Sequence, residues 1–150
     1  MTSSTVDNRI PIEYSDVLDI RFSDLDSYGH VNSKHYVDLV STSRLNFMAK
    51  EMQTKISEVT EKGIGFFMTK STINYRRPIT GLRKVRSRSH VQEIRERKTL
   101  IIPFSVTAVD DEGIFCDGVL EFAIIDLTTN RSTPAPNWIL DLFFKSKAVE

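Results

Sequence analysis

The residues with the most chemical potential stand together between Arg21 and Tyr36, in the run RFSDLDSYGHVNSKHY. Asp24, Asp26, Gly29, His30 and Asn32 fall in the hinge between an alternating segment and a helical one. The start of a helix leaves backbone N–H groups unpaired and suited to hold an anion, so polar density at such a hinge points to a site. An aspartate there can serve chemistry, or it can simply bond the backbone of its own turn.

The elements that must position this turn follow from periodicity. From Val17 the chain alternates, with Leu18, Ile20 and Phe22 on one face and Asp19, Arg21 and Ser23 on the other, which reads as a short half-buried strand. Residues 33–52 then repeat apolar side chains at helical spacing. Tyr36, Leu39, Val40, Phe47 and Met48 form one stripe, and Lys34, Asp38, Arg44 and Lys50 fall mostly elsewhere. Asn32 or Ser33 is the natural N-cap. The polar residues 53–62 continue the helix or fray, and Gly63 ends it. Four strand-like runs follow, at about 66–76, 83–94, 97–109 and 114–126, broken by Pro78–Gly81, by the charged corner 93–98 and by Asp110–Gly113. Connections this short imply antiparallel hairpins. Pro103 inside its run predicts an edge or a bulge there. Residues 1–15 are polar and are expected to lie irregularly over the surface. The tail, 133–150, carries the apolar run WILDLFF and predicts a short helix that packs back.

Composition narrows the class. One hundred and fifty residues suit a single domain spanning 1–150. Apolar content of 40% and charged content of 27% are those of an ordinary soluble protein. Twenty basic and twenty acidic residues cancel, so no global charge draws the chain to nucleic acid or membrane. The N-terminus lacks the apolar stretch of a secretory signal, and no apolar run approaches the ~20 residues of a membrane span. A lone Cys116 cannot form an internal disulfide, which fits a cytoplasmic location, and its apolar neighbours predict a buried, inert thiol. Three histidines and one cysteine show no metal-ligand spacing. One helix cannot cover both faces of a five-stranded sheet, so a dimer or higher oligomer is expected.

The order strand, long helix, four strands, with D-L-D-S-Y-G-H-V-N at the first strand-to-helix turn, resembles the hot-dog fold thioesterases. The 4-hydroxybenzoyl-CoA thioesterase and YbgC-type acyl-CoA thioesterases are the most similar branch, over roughly residues 15–127, with Asn-Tyr-Arg-Arg-Pro at 74–78 as weaker support. The resemblance implies an α+β hot-dog fold, in which a five-stranded antiparallel sheet wraps around one long helix, with a short C-terminal helix added. It implies an enzyme that hydrolyses acyl-CoA to a free acid and CoA, with no cofactor beyond the CoA of the substrate. Asp26 takes the place of the family's catalytic carboxylate, as nucleophile or as base for a water. Gly29 would grant an unusual backbone conformation or close thioester approach. His30 would polarise the carbonyl or satisfy backbone groups, and Asn32 would position substrate or cap the helix. The backbone at Asn32, Ser33 and Lys34 would form the oxyanion hole. Asp24 would hold the turn, and His35 would pack or face solvent. Sites in this family form between subunits, so a homodimer or homotetramer is implied.

Charge is locally uneven. Nine Lys or Arg (positions 76, 77, 83, 84, 86, 88, 95, 97 and 98) stand against Glu93 and Glu96 between residues 76 and 98. Lys84, Arg86, Arg88 and His90 share one strand face. In the benzoyl branch the CoA phosphates meet a basic strand junction, which matches Arg97 and Lys98 here, and Arg95 less closely. The other reading is a solvated face that protects an edge. Alternatives to acyl-CoA hydrolysis are cleavage of an acyl-carrier-protein thioester, or a hot-dog module that binds acyl-CoA without cleaving it. The phenylalanines at 66, 67, 104, 115 and 122 are expected in strand packing, and Trp138 caps the core or narrows an acyl tunnel.

Overall fold

A computed structural model describes residues 9–147. The elements are β1 (Arg9–Pro11), β2 (Tyr14–Asp19), α1 (Tyr36–Glu51), α2 (Ile56–Glu61), β3 (Ile64–Tyr75), β4 (Lys84–Ser89), β5 (Glu93–Arg95), β6 (Thr99–Ala108), β7 (Ile114–Asp126), β8 (Arg131–Ser132), α3 (Asn137–Phe143) and β9 (Phe144–Ser146). The five main strands run in the order β2-β4-β6-β7-β3, each neighbouring pair antiparallel, and β5 and β8 add short pairings to β6 and β7. The sheet curls around α1, which packs on β2 and β4 and buries Tyr36, Leu39, Val40 and Met48. This is the expected hot-dog arrangement of an α+β fold.

Alternation explains the core. Along β6, Leu100, Ile102, Phe104, Val106 and Ala108 are buried while the residues between them are not, the period of two that gives a sheet one apolar face. Burial of each such side chain contributes roughly 1.5–3 kcal/mol. Gly118 in β7 lets β3 lie close, because a Cβ there would collide with the Thr72 carbonyl.

Several expectations are corrected. Phe22 does not continue the buried face of β2. The strand ends at Asp19, a 3₁₀ turn over Phe22–Asp24 redirects the chain, and Phe22 is 83% exposed. The Asp24 carboxylate, which accepts the Arg21 N–H at 2.8 Å, closes that turn. The helix expected over 33–52 opens with a 3₁₀ turn at Ser33–His35 and becomes α-helical from Tyr36. It breaks after Met52, where Gln53 adopts a φ of 53°, and Gly63 (φ 87°) instead follows the short α2. The N-terminal stretch is not wholly irregular, since β1 pairs antiparallel with β9 and β2 begins at Tyr14, whose hydroxyl donates to the Leu142 carbonyl at 2.5 Å. Residues 1–8 and 148–150 lie outside the described ones. The WILDLFF run forms α3 with Ile139, Leu142 and Phe143 buried, as expected.

Short connections did not all make hairpins. Asp110–Gly113 joins the paired β6 and β7, and Glu96-Arg97, both at positive φ, turns β5 into β6. The segment after β3 behaves differently, because β4 pairs with β2 and β6 while β3 pairs with β7. Ile79 explains the crossing: it is fully buried, its carbonyl accepts the Val31 N–H at 2.8 Å, and Thr80 bridges to His30. The chain is thus fastened to the Asp26 turn instead of folding back on β3. Pro103 lies in the interior strand β6, not at an edge. Its carbonyl accepts from His90 across the break between β4 and β5, so its missing N–H faces the bulge where no ladder bond is needed.

Candidate active site

The turn from Asp24 to Ser33 is built almost entirely of backbone bonds. Leu25 bridges to Val31, the Asp26 N–H donates to the His30 carbonyl at 2.7 Å, and Gly29 N–H donates back to Asp26 at 3.0 Å. Gly29 holds a φ of 74° with nothing within 4 Å of a Cβ position, so its role here is conformational freedom and not close packing. The Gly29 carbonyl accepts from Gly81, which ties the turn to the crossing segment.

The two aspartates have separate fates. Asp24 is 3% exposed, and its carboxylate accepts Arg21 through the backbone N–H, Nε and Nη2 at 2.8, 3.3 and 3.0 Å. Burial opposes its charge, but the Arg21 bonds outweigh that and hold the carboxyl below the usual carboxylate range. It is structural, as expected. His35 sits beside it, with Nδ1 at 4.0 Å from Asp24 and 3.6 Å from Asp38. Asp26 accepts the Tyr28 and His30 N–H groups at 2.8 and 3.1 Å, both on Oδ1. The turn-forming role is therefore real for one oxygen, and Oδ2 has no protein partner among the described residues.

Asp26, His30, Asn32 and Ser33 line one open cleft of about 430 Å³, with Tyr36, Tyr75, Arg76 and Arg77 opposite. At the helix start the free donors are fewer than expected. Asn32 N–H donates to the Asp24 carbonyl, and Lys34 N–H to the Asn32 side chain at 3.2 Å, so Asn32 is the N-cap. That leaves the Ser33 N–H without an acceptor among the described residues.

The sequence reading missed Tyr36, Tyr75, Arg76 and Arg77. Tyr36 had been placed in the apolar stripe, and it is indeed buried, its hydroxyl pushed up by burial and its ring 5.1 Å edge-on from Tyr75. The two arginines follow the end of β3 at Tyr75 in the Asn-Tyr-Arg-Arg-Pro run, the signal that could have found them. Arg76 pairs with Asp117 at 3.0 Å, and Arg77 pairs with Asp111 at 3.0 Å while lying 4.5 Å over the Phe115 ring. Within one chain, Arg95, Arg97 and Lys98 do not line the cleft. Arg95 bonds Glu121 at 2.8 Å, and Arg97 and Lys98 occupy the β5–β6 turn. The Lys84–Arg88 face is largely neutralised by β2 and its flank, with Lys84 on Asp19 and Arg88 near Glu13. Cys116 is fully buried, and burial pushes its thiol up to about 12, which leaves it inert.

Comparison with known proteins adds a family. Residues 20–143 match the model of the thioesterase-like superfamily. The long-chain acyl-CoA thioesterase FadM of Escherichia coli is 26% identical over 114 residues, covering 75% of this chain and 83% of that protein. Among solved structures, a DHNA-CoA thioesterase from Staphylococcus aureus superposes with a TM-score of 0.75 at 16% identity, covering 86% of this chain and 85% of that one. A 1,4-dihydroxy-2-naphthoyl-CoA thioesterase from Synechocystis does so with a TM-score of 0.76 at 10% identity, covering 87% and 95%. At those identities the structures speak to the fold alone.

Proposed function

The chain belongs to the thioesterase-like superfamily, and from that premise we propose that the Asp26 cleft is where it cleaves acyl-coenzyme A to a free carboxylic acid and coenzyme A. The observation that carries the reading is one carboxylate oxygen, Asp26 Oδ2, left without a partner among the described residues, on a residue that lines one cleft with Ser33, whose N–H is likewise unused among them. Oδ2 either attacks the thioester carbonyl or takes the proton of a water that does, and both routes use the same oxygen. Charge then builds on the carbonyl oxygen, and the Ser33 amide donates to it. The C–S bond breaks as the intermediate collapses, and coenzyme A leaves as its thiolate. On the base route the acid already carries the oxygen of the water, and on the attack route a water then hydrolyses the Asp26 acyl anhydride, which releases the acid and restores the carboxylate. General-base help is worth roughly 10²–10⁴ in rate, and one oxyanion donor about 10²–10³. No cofactor is required.

A dimer is part of the proposal. Among the described residues, strand β3 pairs only with β7 and its other edge is open, with Phe67 66% exposed beside it. A second copy placed on that edge would cover it, and an inter-subunit site would let the Arg97–Lys98 turn of one chain serve the cleft of the other. A cytoplasmic location is proposed with it. Among the described residues no helix is long and apolar enough to cross a membrane.

The test is thiol release from short, long and aromatic acyl-CoAs and from an acyl carrier protein, with the mass in solution measured in parallel. Turnover of acyl-CoA by a dimer or tetramer is expected. Turnover of the carrier-protein thioester alone would move the substrate to that class. Saturable acyl-CoA binding without release of thiol would leave a binding module and overturn the reading.

A further inference from the structure

A second cavity, of about 390 Å³, lies between α1, α2 and the sheet, and it shares no residue with the Asp26 cleft. Its walls are apolar, formed by Leu45, Met48, Phe66, Ile102, Phe122 and Phe143 among others. One lining residue is charged. Arg44 stands eight residues along α1 from Tyr36, about 12 Å at 1.5 Å per residue.

Arg44 is partly buried, and a charge drawn even part-way out of water is normally paired, because its lost hydration is otherwise uncompensated. Arg44 has no carboxylate partner among the described residues. Of its five N–H donors, one hydrogen bond is made, from Nη1 to the Ser89 hydroxyl at 2.8 Å. The guanidinium lies 4.2 Å over the face of Tyr14, which offsets part of the loss. Burial draws its pKa down to about 10, and Tyr14 is the sole ionisable neighbour that acts on it. Asp16, the acid nearest in sequence across the α1–β2 contact, is engaged by Asn46 and Lys50 instead. An apolar chamber with one planar cation, whose remaining donors bond no described residue, fits a ligand with an apolar chain and a single planar anionic end.

We propose that this cavity binds an aliphatic carboxylic acid, with its chain among the apolar walls and its carboxylate on Arg44. The volume lies at the small end of the range for small-molecule sites, about 300–1,000 Å³, which favours a chain of modest length. One cation, not a cluster, matches one negative charge. Within one chain the cavity shares no residue with the Asp26 cleft, and the proposal does not rest on that assignment.

The test is calorimetric titration of the intact protein with decanoate, decanol and decylamine below their micelle concentrations. Wild type is expected to bind decanoate at least about tenfold tighter than decanol, as a charge-assisted bond predicts. Arg44→Gln should bring decanoate down to the decanol level. Ile56→Trp, which enlarges an exposed lining residue, should weaken both ligands. Asp26→Asn should leave decanoate binding unchanged, since the cavities are separate. The proposal is overturned if wild type shows no saturable binding or binds the three probes alike. It is also overturned if the decanoate preference survives in Arg44→Gln, or if decanoate binding is lost in Asp26→Asn. Should Arg44→Gln change the mass in solution while wild type is indifferent to decanoate, the missing counter-charge belongs to a second copy of the chain. The wild-type probe series stands even if Arg44→Gln misfolds.

Discussion

Ser33→Pro isolates one backbone N–H as the oxyanion donor. Ser33 is the first residue after the N-cap Asn32, the helix position where proline is best tolerated because its missing N–H would be unpaired anyway. Asn32 already sits at φ −62° and ψ 135°, the extended region that a following proline requires. Residues of a 3₁₀ turn hold φ near about −50 to −70°, which the pyrrolidine ring matches. The Ser33 N–H has no acceptor among the described residues, and the Lys34 bond to Asn32 is untouched, so the described fold gives up no hydrogen bond. Stability should therefore hold or rise by about 0.4–1 kcal/mol through a less flexible unfolded chain. The rate should not hold. Loss of one oxyanion donor costs about 2.7–4 kcal/mol of transition-state stabilisation, or about 10²–10³ in kcat, with KM nearly unchanged. Steady-state thiol release on the best acyl-CoA, read beside a urea unfolding curve, makes the measurement. Ser33→Ala keeps the amide and should turn over like wild type. If Ser33→Pro folds as well as wild type and its kcat stays within about threefold, the oxyanion hole lies elsewhere.

Other perturbations probe the frame around that cleft. Gly118→Ala should lower stability by about 1–3 kcal/mol, read as a fall in urea midpoint, because the new methyl must push β3 off β7; an unchanged midpoint would mean that the two strands separate freely. The Asp24–Arg21 contact should give the protein an acid limb. A carboxyl held below its unfolded value contributes stability above about pH 3.9 and loses it as pH falls through the folded value. Wild type should therefore weaken below about pH 4, and Asp24→Asn should flatten that limb in pH-resolved melts. Cys116 should resist alkylation in the native protein and react fully in urea, as a buried thiol pushed up to about 12 requires. Rapid native labelling would contradict its position in the core.

The sequence made legible whatever is written in local period. Alternation located β6 and β7, the apolar stripe located α1, and a dense polar hinge located the turn. What it could not show depends on contacts between distant segments. Phe22 continues the alternation of β2 in sequence, yet Arg21 and Asp24 close a turn one residue too soon for it to stay inside. Pairing partners are not encoded by period, so the crossing after β3 carries the sequence signature of a hairpin, and only the fold buries Ile79 and bonds its carbonyl to the Val31 N–H. Arg44 belongs to the same class. It falls off the apolar stripe of its helix and would pass for a solvated charge, and only the fold lays Tyr14 under it. Arg76 and Arg77 follow a strand end like many basic residues, and only the crossing segment turns that strand end into a wall of the cleft.

Asp24 and Asp26 are two residues apart in one short turn, and sequence chemistry alone cannot rank them. The structure ranks them by counting lone pairs. Both oxygens of Asp24 are taken by Arg21 in a site closed to water, so it can neither accept a proton nor reach a carbonyl carbon without dismantling the turn. Asp26 spends Oδ1 on two amides, which fixes its orientation, and leaves Oδ2 without a partner among the described residues, on a residue that lines the cleft. Substitution by asparagine should separate the two roles. In Asp26→Asn the amide oxygen still accepts from Tyr28 and His30, so stability should stay within about 1 kcal/mol while kcat falls about 10²-fold or more. In Asp24→Asn one buried carboxylate oxygen becomes an amide N–H donor facing the Arg21 donors, so stability should fall by about 1–3 kcal/mol, with kcat at the level of whatever folded fraction remains. Thiol release normalised to the folded fraction from denaturant curves reads both. If the pattern reverses, with Asp24→Asn folded but inactive and Asp26→Asn active, the free oxygen of Asp26 is incidental and the reactive carboxylate is the buried one.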